Sequence, residues 1–210
     1  INDIWLEDDN GMLNELLNCV DSCVLCGAPI AVVHLSAGNK APSITDIGRE
    51  RFARLVDYAA EKNVKIAFEN VEGESYLEAL MEAFSSCAHV GFCWDSGHEQ
   101  CYNRGRDMLA LYGDRLIATH LNDNLGISDY QGKIFWTDDL HLLPFDGIGN
   151  WQDIAARLDR HGFNDFLTFE LTTGSKPGRY ENDVYKKLSP EEYLAEAYKR
   201  ACRVASLRQH

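Results

Sequence analysis

The sequence predicts a parallel α/β fold, either an open doubly wound sheet or a closed (β/α) barrel. Three observations carry the prediction. Short apolar runs recur along nearly the whole chain, amphipathic helical stretches separate them, and each run delivers a carboxylate or an imidazole at or near its end. Strands of near-continuous apolar character are covered on both faces, as parallel strands flanked by helices must be.

The elements follow in order. Residues 12–26 have the period of a helix and precede the first strand candidate, residues 31–35. A helix over 46–62 leads to a strand at 64–68, and a helix over 75–86 leads to a strand at 89–94. A short helix at 107–112 comes before the strand 116–121. Residues 151–161 are helical, 166–171 form the last clear strand, and 190–206 close the chain as a helix. Residues 141–143 are a candidate for one further short strand. Gly113 and Gly162 stand just past helical patterns, where helix-ending glycines belong. Ser189-Pro190-Glu191-Glu192 supplies a capping hydroxyl, a proline in the first turn and acids at the positive end of the dipole. Residues 122–150 break the rhythm as a long loop with four glycines, and long loops in compact domains tend to carry function.

Composition narrows the class. The chain has 210 residues, 45% hydrophobic and 25% charged, which suits one globular domain over 1–210. No apolar run approaches the roughly 20 residues of a membrane span. The formal net charge of −13 disfavours nucleic acid and anionic membrane surfaces as partners. Seven cysteines, an odd number, read as reduced thiols of a cytoplasmic protein; Cys23 and Cys26 form a CxxC without a second pair at zinc-site spacing.

The residues that end the strands carry the chemistry. The first strand bears His34, the second runs into Glu69-Asn70, and the third ends in Asp95-Ser96-Gly97-His98. The fourth ends in His120 with Asn122-Asp123, the long loop adds Asp139 and His141, and the last strand ends in Glu170. In parallel α/β folds these C-terminal ends converge on one face, where ligands bind. A single buried acid or histidine has a structural explanation, but the set is harder to explain that way. No Lys or Arg stands at these positions, and several uncompensated carboxylates repel unless a cation or proton neutralises them. The mixed oxygen and nitrogen donors suit Mn²⁺, Zn²⁺, Co²⁺ or Mg²⁺.

The segments VVHLSAG, FENVEG, GFCWDSGH, THLNDN, DDLHLLPFDGIGNW and LTFEL occur in this order, and YKKLSPEEYLAEAYKRA follows. From about residue 12 onward the chain resembles the xylose isomerase-like TIM-barrel superfamily, which holds sugar phosphate isomerases and epimerases and the endonuclease IV-type apurinic endonucleases. The resemblance implies an α/β TIM-type barrel, N-terminally truncated, with about six of the eight βα units. Residues 1–11 are then a polar lead-in and 12–210 the βα units from the second or third to the eighth. The expectation is that a partner chain closes the gap, as in a homo-oligomer such as a dimer, or that the chain is part of a longer product.

The same resemblance implies one divalent metal held by Glu69, Asp95, His120 and Glu170. Glu69 and Glu170 are the implied catalytic pair, taking and returning a proton α to a carbonyl while the metal stabilises the enediolate. His98 faces the substrate, with His34, Asp139, His141, Trp94 and Lys133 as further candidate substrate contacts. Trp94, Phe92 and Trp136 are candidates to pack on a sugar face, with core or loop packing as the alternative. Lys133, Lys176 and Arg179 are candidate anion contacts, with a solvated surface role as the alternative. The implied activity is a metal-dependent sugar or sugar phosphate isomerase or epimerase with a small carbohydrate substrate. The alternatives are an apurinic-endonuclease-like phosphodiesterase with a multi-zinc site, or a catalytically degenerate metal-binding barrel. His34 and Asp139-Leu140-His141 match zinc positions of the endonucleases, but a further cluster histidine on their second strand has no counterpart here. The ketose 3-epimerases place an arginine after the fourth-strand histidine, where HLNDNLGISDYQGK offers only Lys133, so a free ketohexose is not favoured.

Overall fold

A computed structural model describes residues 1–8 and 11–209. They fall into two units, Ile1–Cys93 and Trp94–His210. In the first unit a 3-10 helix, Asn2–Trp5, precedes α1 (Met12–Cys26), β1 (Ile30–Val33), α2 (Asp46–Glu61), β2 (Lys65–Glu69), α3 (Glu74–Ala83) and the start of β3 (Val90–Asp95). β1 pairs parallel with β2, Ile30 opposite Lys65, and β2 pairs parallel with β3, Ile66 opposite Val90. Ile66, Ala67 and Phe68 are all fully buried, so β2 is covered on both faces as its apolar run requires. Thr45 caps α2 by accepting from the Gly48 amide at 3.2 Å.

The lead-in expected over residues 1–11 contains an anchor, although Asp9 and Asn10 lie outside the described residues. Ile4 and Trp5 are buried, and Trp5 Nε1 donates to the Leu35 carbonyl at 2.7 Å. The indole packs on Phe52 and Tyr76, with ring centroids 5.2 Å away in both cases. It lies so close to α2 that a Cβ on Gly48 would meet the indole at 2.1 Å. Removing such an aromatic side chain costs about 3–5 kcal/mol.

The second unit begins inside β3, the strand that continues into it. It holds α4 (Ser96–Cys101), α5 (Met108–Tyr112), β4 (Leu116–His120), α6 (Trp151–Arg160) and α7 (Pro190–Ala205). Strand order follows chain order, β1-β2-β3-β4, and the architecture is α/β of the TIM-barrel type. Ser189 caps α7 with a full reciprocal box, Glu192 N to Ser189 Oγ at 3.2 Å and Ser189 N to Glu192 Oε2 at 2.7 Å.

Two expected strands are shorter than the pattern suggests. The segment predicted at 166–171 pairs through a single parallel bridge, Leu121 to Phe169, flanked by bonds at 2.8 and 3.3 Å. The segment at 141–143 is one antiparallel bridge, Asp123 to Leu142. His141 has φ +49°, a left-handed backbone that interrupts an extended ladder. None of the seven cysteines forms a disulfide. Among the described residues no helix is long and apolar enough to cross a membrane.

The long loop is not loose. Asp123 is fully buried and its carboxylate accepts from the amides of Asn124, Phe145 and Gly149 and from Trp151 Nε1, at 2.9–3.0 Å. Gly147 is required because a Cβ there would meet Asn124 O and Asp123 Oδ1 at 2.3 Å. One buried carboxyl group therefore shapes the segment that carries Asp139 and His141.

Candidate metal centre

In the second unit three candidate ligands meet. Asp95 ends β3, His120 ends β4 and Glu170 follows the bridge at Phe169; each offers a ligand atom within 4.8 Å of the others. His120 Nδ1 lies 3.1 Å from Glu170 Oε2, whose side chain is 45% exposed. Asp95 is fully buried and caps α4 by accepting from the His98 amide at 2.6 Å. Asn122 Nδ2 donates to both Asp95 oxygens, at 3.1 and 2.9 Å, which fixes the carboxylate plane. Gly97 is obligatory beside it, since a Cβ would come within 1.8 Å of Asn122 Oδ1.

Glu69 belongs to the first unit, fully buried at the end of β2. His34, half exposed just past β1, brings Nε2 to 3.0 Å from Glu69 Oε2. Glu69 is in register with Cys93, and Asp95 stands two residues further along the same strand.

A second group lies beside the first in the second unit. His98, Asp139 and His141 offer atoms within 4.8 Å of one another. Asp139 Oδ2 is 2.9 Å from His141 Nε2, 3.5 Å from His98 Nε2, 3.4 Å from the Tyr102 hydroxyl and 3.6 Å from Lys176 Nζ. Burial works to raise the Asp139 carboxyl, but the bonds and charge from His141 and His98 outweigh it and hold it well below the ordinary carboxylate range. Burial works to lower His141, and its bond to Asp139 and the facing charge raise it instead. His141 Nδ1 also contacts the Glu170 carbonyl at 3.0 Å. Asp139 Oδ1 is buried and has no hydrogen-bond partner among the described residues.

The remaining sequence candidates sit differently. Trp94 is fully buried, its Nε1 donating to Glu99 Oε2 at 2.9 Å and its ring covered by Arg157 at 4.8 Å, so it presents no face to a ligand. Phe92 is core. Trp136 is 55% exposed. Lys133 is exposed on the long loop, and among the described residues no bond joins it to the site. Arg179 is held by Asp138 at 2.8 Å and by Glu181 at 2.9 Å. Sequence reasoning missed how directly Lys176 faces Asp139 and that Asn122 and Asp123 are the supports of the site; the buried polar run Asn122-Asp123-Asn124 was the available signal.

The donor chemistry fits a divalent cation. Two carboxylates and an imidazole within reach of one another match the preferences of Mn²⁺, Zn²⁺ or Co²⁺. The outer support that such ligands need is present in Asn122.

Comparison with known proteins agrees with the fold. The family model for a xylose isomerase-like TIM barrel matches residues 6–202. The uncharacterized protein y4fM of Sinorhizobium fredii is 33% identical over 206 residues, a match covering 89% of this chain and 63% of that protein. This chain thus spans less than two thirds of that relative's length. A xylose isomerase domain protein from Planctomyces limnophilus superposes with a TM-score of 0.67 at 18% identity, over 96% of this chain and 69% of that one. D-psicose 3-epimerase from Clostridium cellulolyticum H10 gives a TM-score of 0.69 at 12% identity, over 98% and 74%. At such identities the likeness is one of fold.

Proposed function

Because the chain belongs to the xylose isomerase-like TIM-barrel family, we propose that it is a divalent-metal-dependent isomerase or epimerase of a small sugar or sugar phosphate. The observation that carries the proposal is the meeting of Asp95, His120 and Glu170 in one unit. Glu69, at the end of β2, is proposed as the fourth ligand from its place in the family's motif order. A bound cation would polarise the substrate carbonyl and hydroxyl oxygens and so acidify the hydroxyl-bearing carbon next to the carbonyl.

The chain's own residues then have distinct work. Glu170 is partly open and lies against His120, so its carboxylate is able to take a proton from the substrate carbon. Glu69 is the partner that returns a proton. Asp139 Oδ1 accepts a substrate hydroxyl, and His98 and His141 hold the Asp139 carboxylate ionised for that purpose. Asn122 fixes Asp95 and contacts no substrate in this scheme.

Solvent-deuterium exchange over a panel of keto sugars and their phosphates tests the reaction class. The metal-loaded protein is expected to wash deuterium into the carbon next to the carbonyl of at least one sugar, and Glu170→Gln to abolish it. A metal-loaded protein inert toward the whole panel contradicts the proposal.

A second reading draws on the neighbouring His98, Asp139 and His141 group, which gives the phosphodiesterase alternative a candidate further metal position. It predicts more than one ion per chain and cleavage of an abasic duplex, against which the charge of −13 argues. A homo-oligomeric assembly belongs to the main proposal, and light scattering reads it directly.

A further inference from the structure

We infer that Lys176 selects the substrate by binding an anionic group, a phosphate or a carboxylate, carried by the sugar. The inference rests on the proton-transfer reading of the same site and adds its substrate class. The segment that carries Lys176 is pinned on both sides. Gly174 N donates to Thr172 Oγ1 at 3.0 Å, and Ser175 Oγ to Asp183 Oδ1 at 2.6 Å. Asn182 Nδ2 ties the Thr172 carbonyl at 3.0 Å to the Leu140 carbonyl at 2.9 Å. Arg179 is clamped between Asp138 and Glu181 at 2.8 and 2.9 Å. These bonds leave Lys176 as the charged side chain of residues 172–178 and turn it inward, 22% exposed.

Its contacts there are close but loose. Nζ stands 3.6 Å from Asp139 Oδ2 and 5.4 Å from the Trp136 ring centroid. A charge-assisted bond is about 2.7–2.9 Å long, and Asp139 Oδ2 already meets His141 at 2.9 Å. The ammonium is therefore held by a carboxylate oxygen it shares, while Arg179 is fully engaged. A phosphate or carboxylate offers Lys176 undivided acceptor oxygens, and a compact charge on a flexible stem can turn to them. Half-exposed Trp136 beside it supplies an apolar face for the sugar carbons. In a chain of net charge −13, a cation beside Asp139 also gives an anionic substrate a local attraction.

Titration with inorganic phosphate and with glycolate, followed by tryptophan fluorescence on the full chain, tests the inference. The wild type is expected to give a saturable response to at least one anion. Lys176→Gln weakens it by at least about tenfold and Lys176→Arg largely preserves it, as loss and retention of a charge-assisted contact require. A response to phosphate alone names a phosphoester as the anionic group, and one to glycolate alone names a carboxylate. No response to either anion, or equal binding by Lys176→Gln and wild type, overturns the inference. Anion binding that depends on Lys176 without deuterium exchange on any sugar leaves it standing and removes the proton-transfer reading. Exchange on neutral sugars with no anion binding does the reverse.

Discussion

His120 Nδ1 lies 3.1 Å from Glu170 Oε2, so the end of β4 meets the end of the segment bridged to it at Leu121 and Phe169. Two ligands from adjacent segments approach this closely either as an ion pair or as neighbours around a cation. The two cases separate on substitution. If they share a cation, His120→Ala weakens Mn²⁺ binding by more than about tenfold in calorimetry, the range over which metal sites respond to lost support. If they are only an ion pair, no Mn²⁺ binding is there to lose.

Gly97→Ala is expected to damage the metal centre without touching a ligand. The new Cβ displaces Asn122, whose amide holds both oxygens of Asp95. Overpacking of this kind costs about 1–3 kcal/mol. Mn²⁺ affinity should fall while the circular dichroism spectrum is retained; an unchanged affinity would show that Asn122 does not position Asp95.

Asp123→Ala removes the acceptor of four N–H donors in the buried loop. Buried N–H donors left without an acceptor cost about 1–3 kcal/mol. Urea unfolding should show a loss of that size. A loss below about 1 kcal/mol, the worth of one ordinary hydrogen bond, would mean that water replaces the carboxylate.

Much of this was legible in the sequence. The four strands and the helices lie within a few residues of where apolar period and capping residues put them, because buried ladders and capped helices are local in cause. The segment 166–171 has the composition of a strand, yet it pairs through one bridge. Pattern records what a segment can bury, not how far its neighbour stays alongside. Of the candidate site, the grouping of Asp95, His120 and Glu170 is legible because chemistry at strand ends is a repeating signal. For Trp94 the structure takes the core-packing alternative, which the pattern does not reveal because its burial involves Glu99 and Arg157, the latter on α6 and far along the chain. The orientation of Lys176 was invisible for the same reason, depending on bonds to Asp138, Asp183 and Leu140 made by its neighbours.

The pin at Glu181 gives an acid limb to stability. Burial works to raise the Glu181 carboxyl, but the Arg179 guanidinium and the amides of Glu181 and Tyr180 bind it and lower it below its ordinary 4.5. A group lowered on folding contributes stability above its unfolded value and loses it as pH falls through the folded one. Glu181→Gln should therefore narrow the stability gap between neutral pH and pH values below about 4.5 in acid-unfolding curves. Parallel acid limbs for variant and wild type would remove the pin from the account.

Metal stoichiometry tests the central claim most directly. The protein is reconstituted with Mn²⁺, Co²⁺ or Zn²⁺, freed of excess ion, and assayed for metal per chain beside Glu170→Ala. The account predicts one tightly held ion in the wild type and none in the variant, with the fold kept in both. A wild type that stays metal-free with all three ions, or a variant that retains its ion, contradicts it.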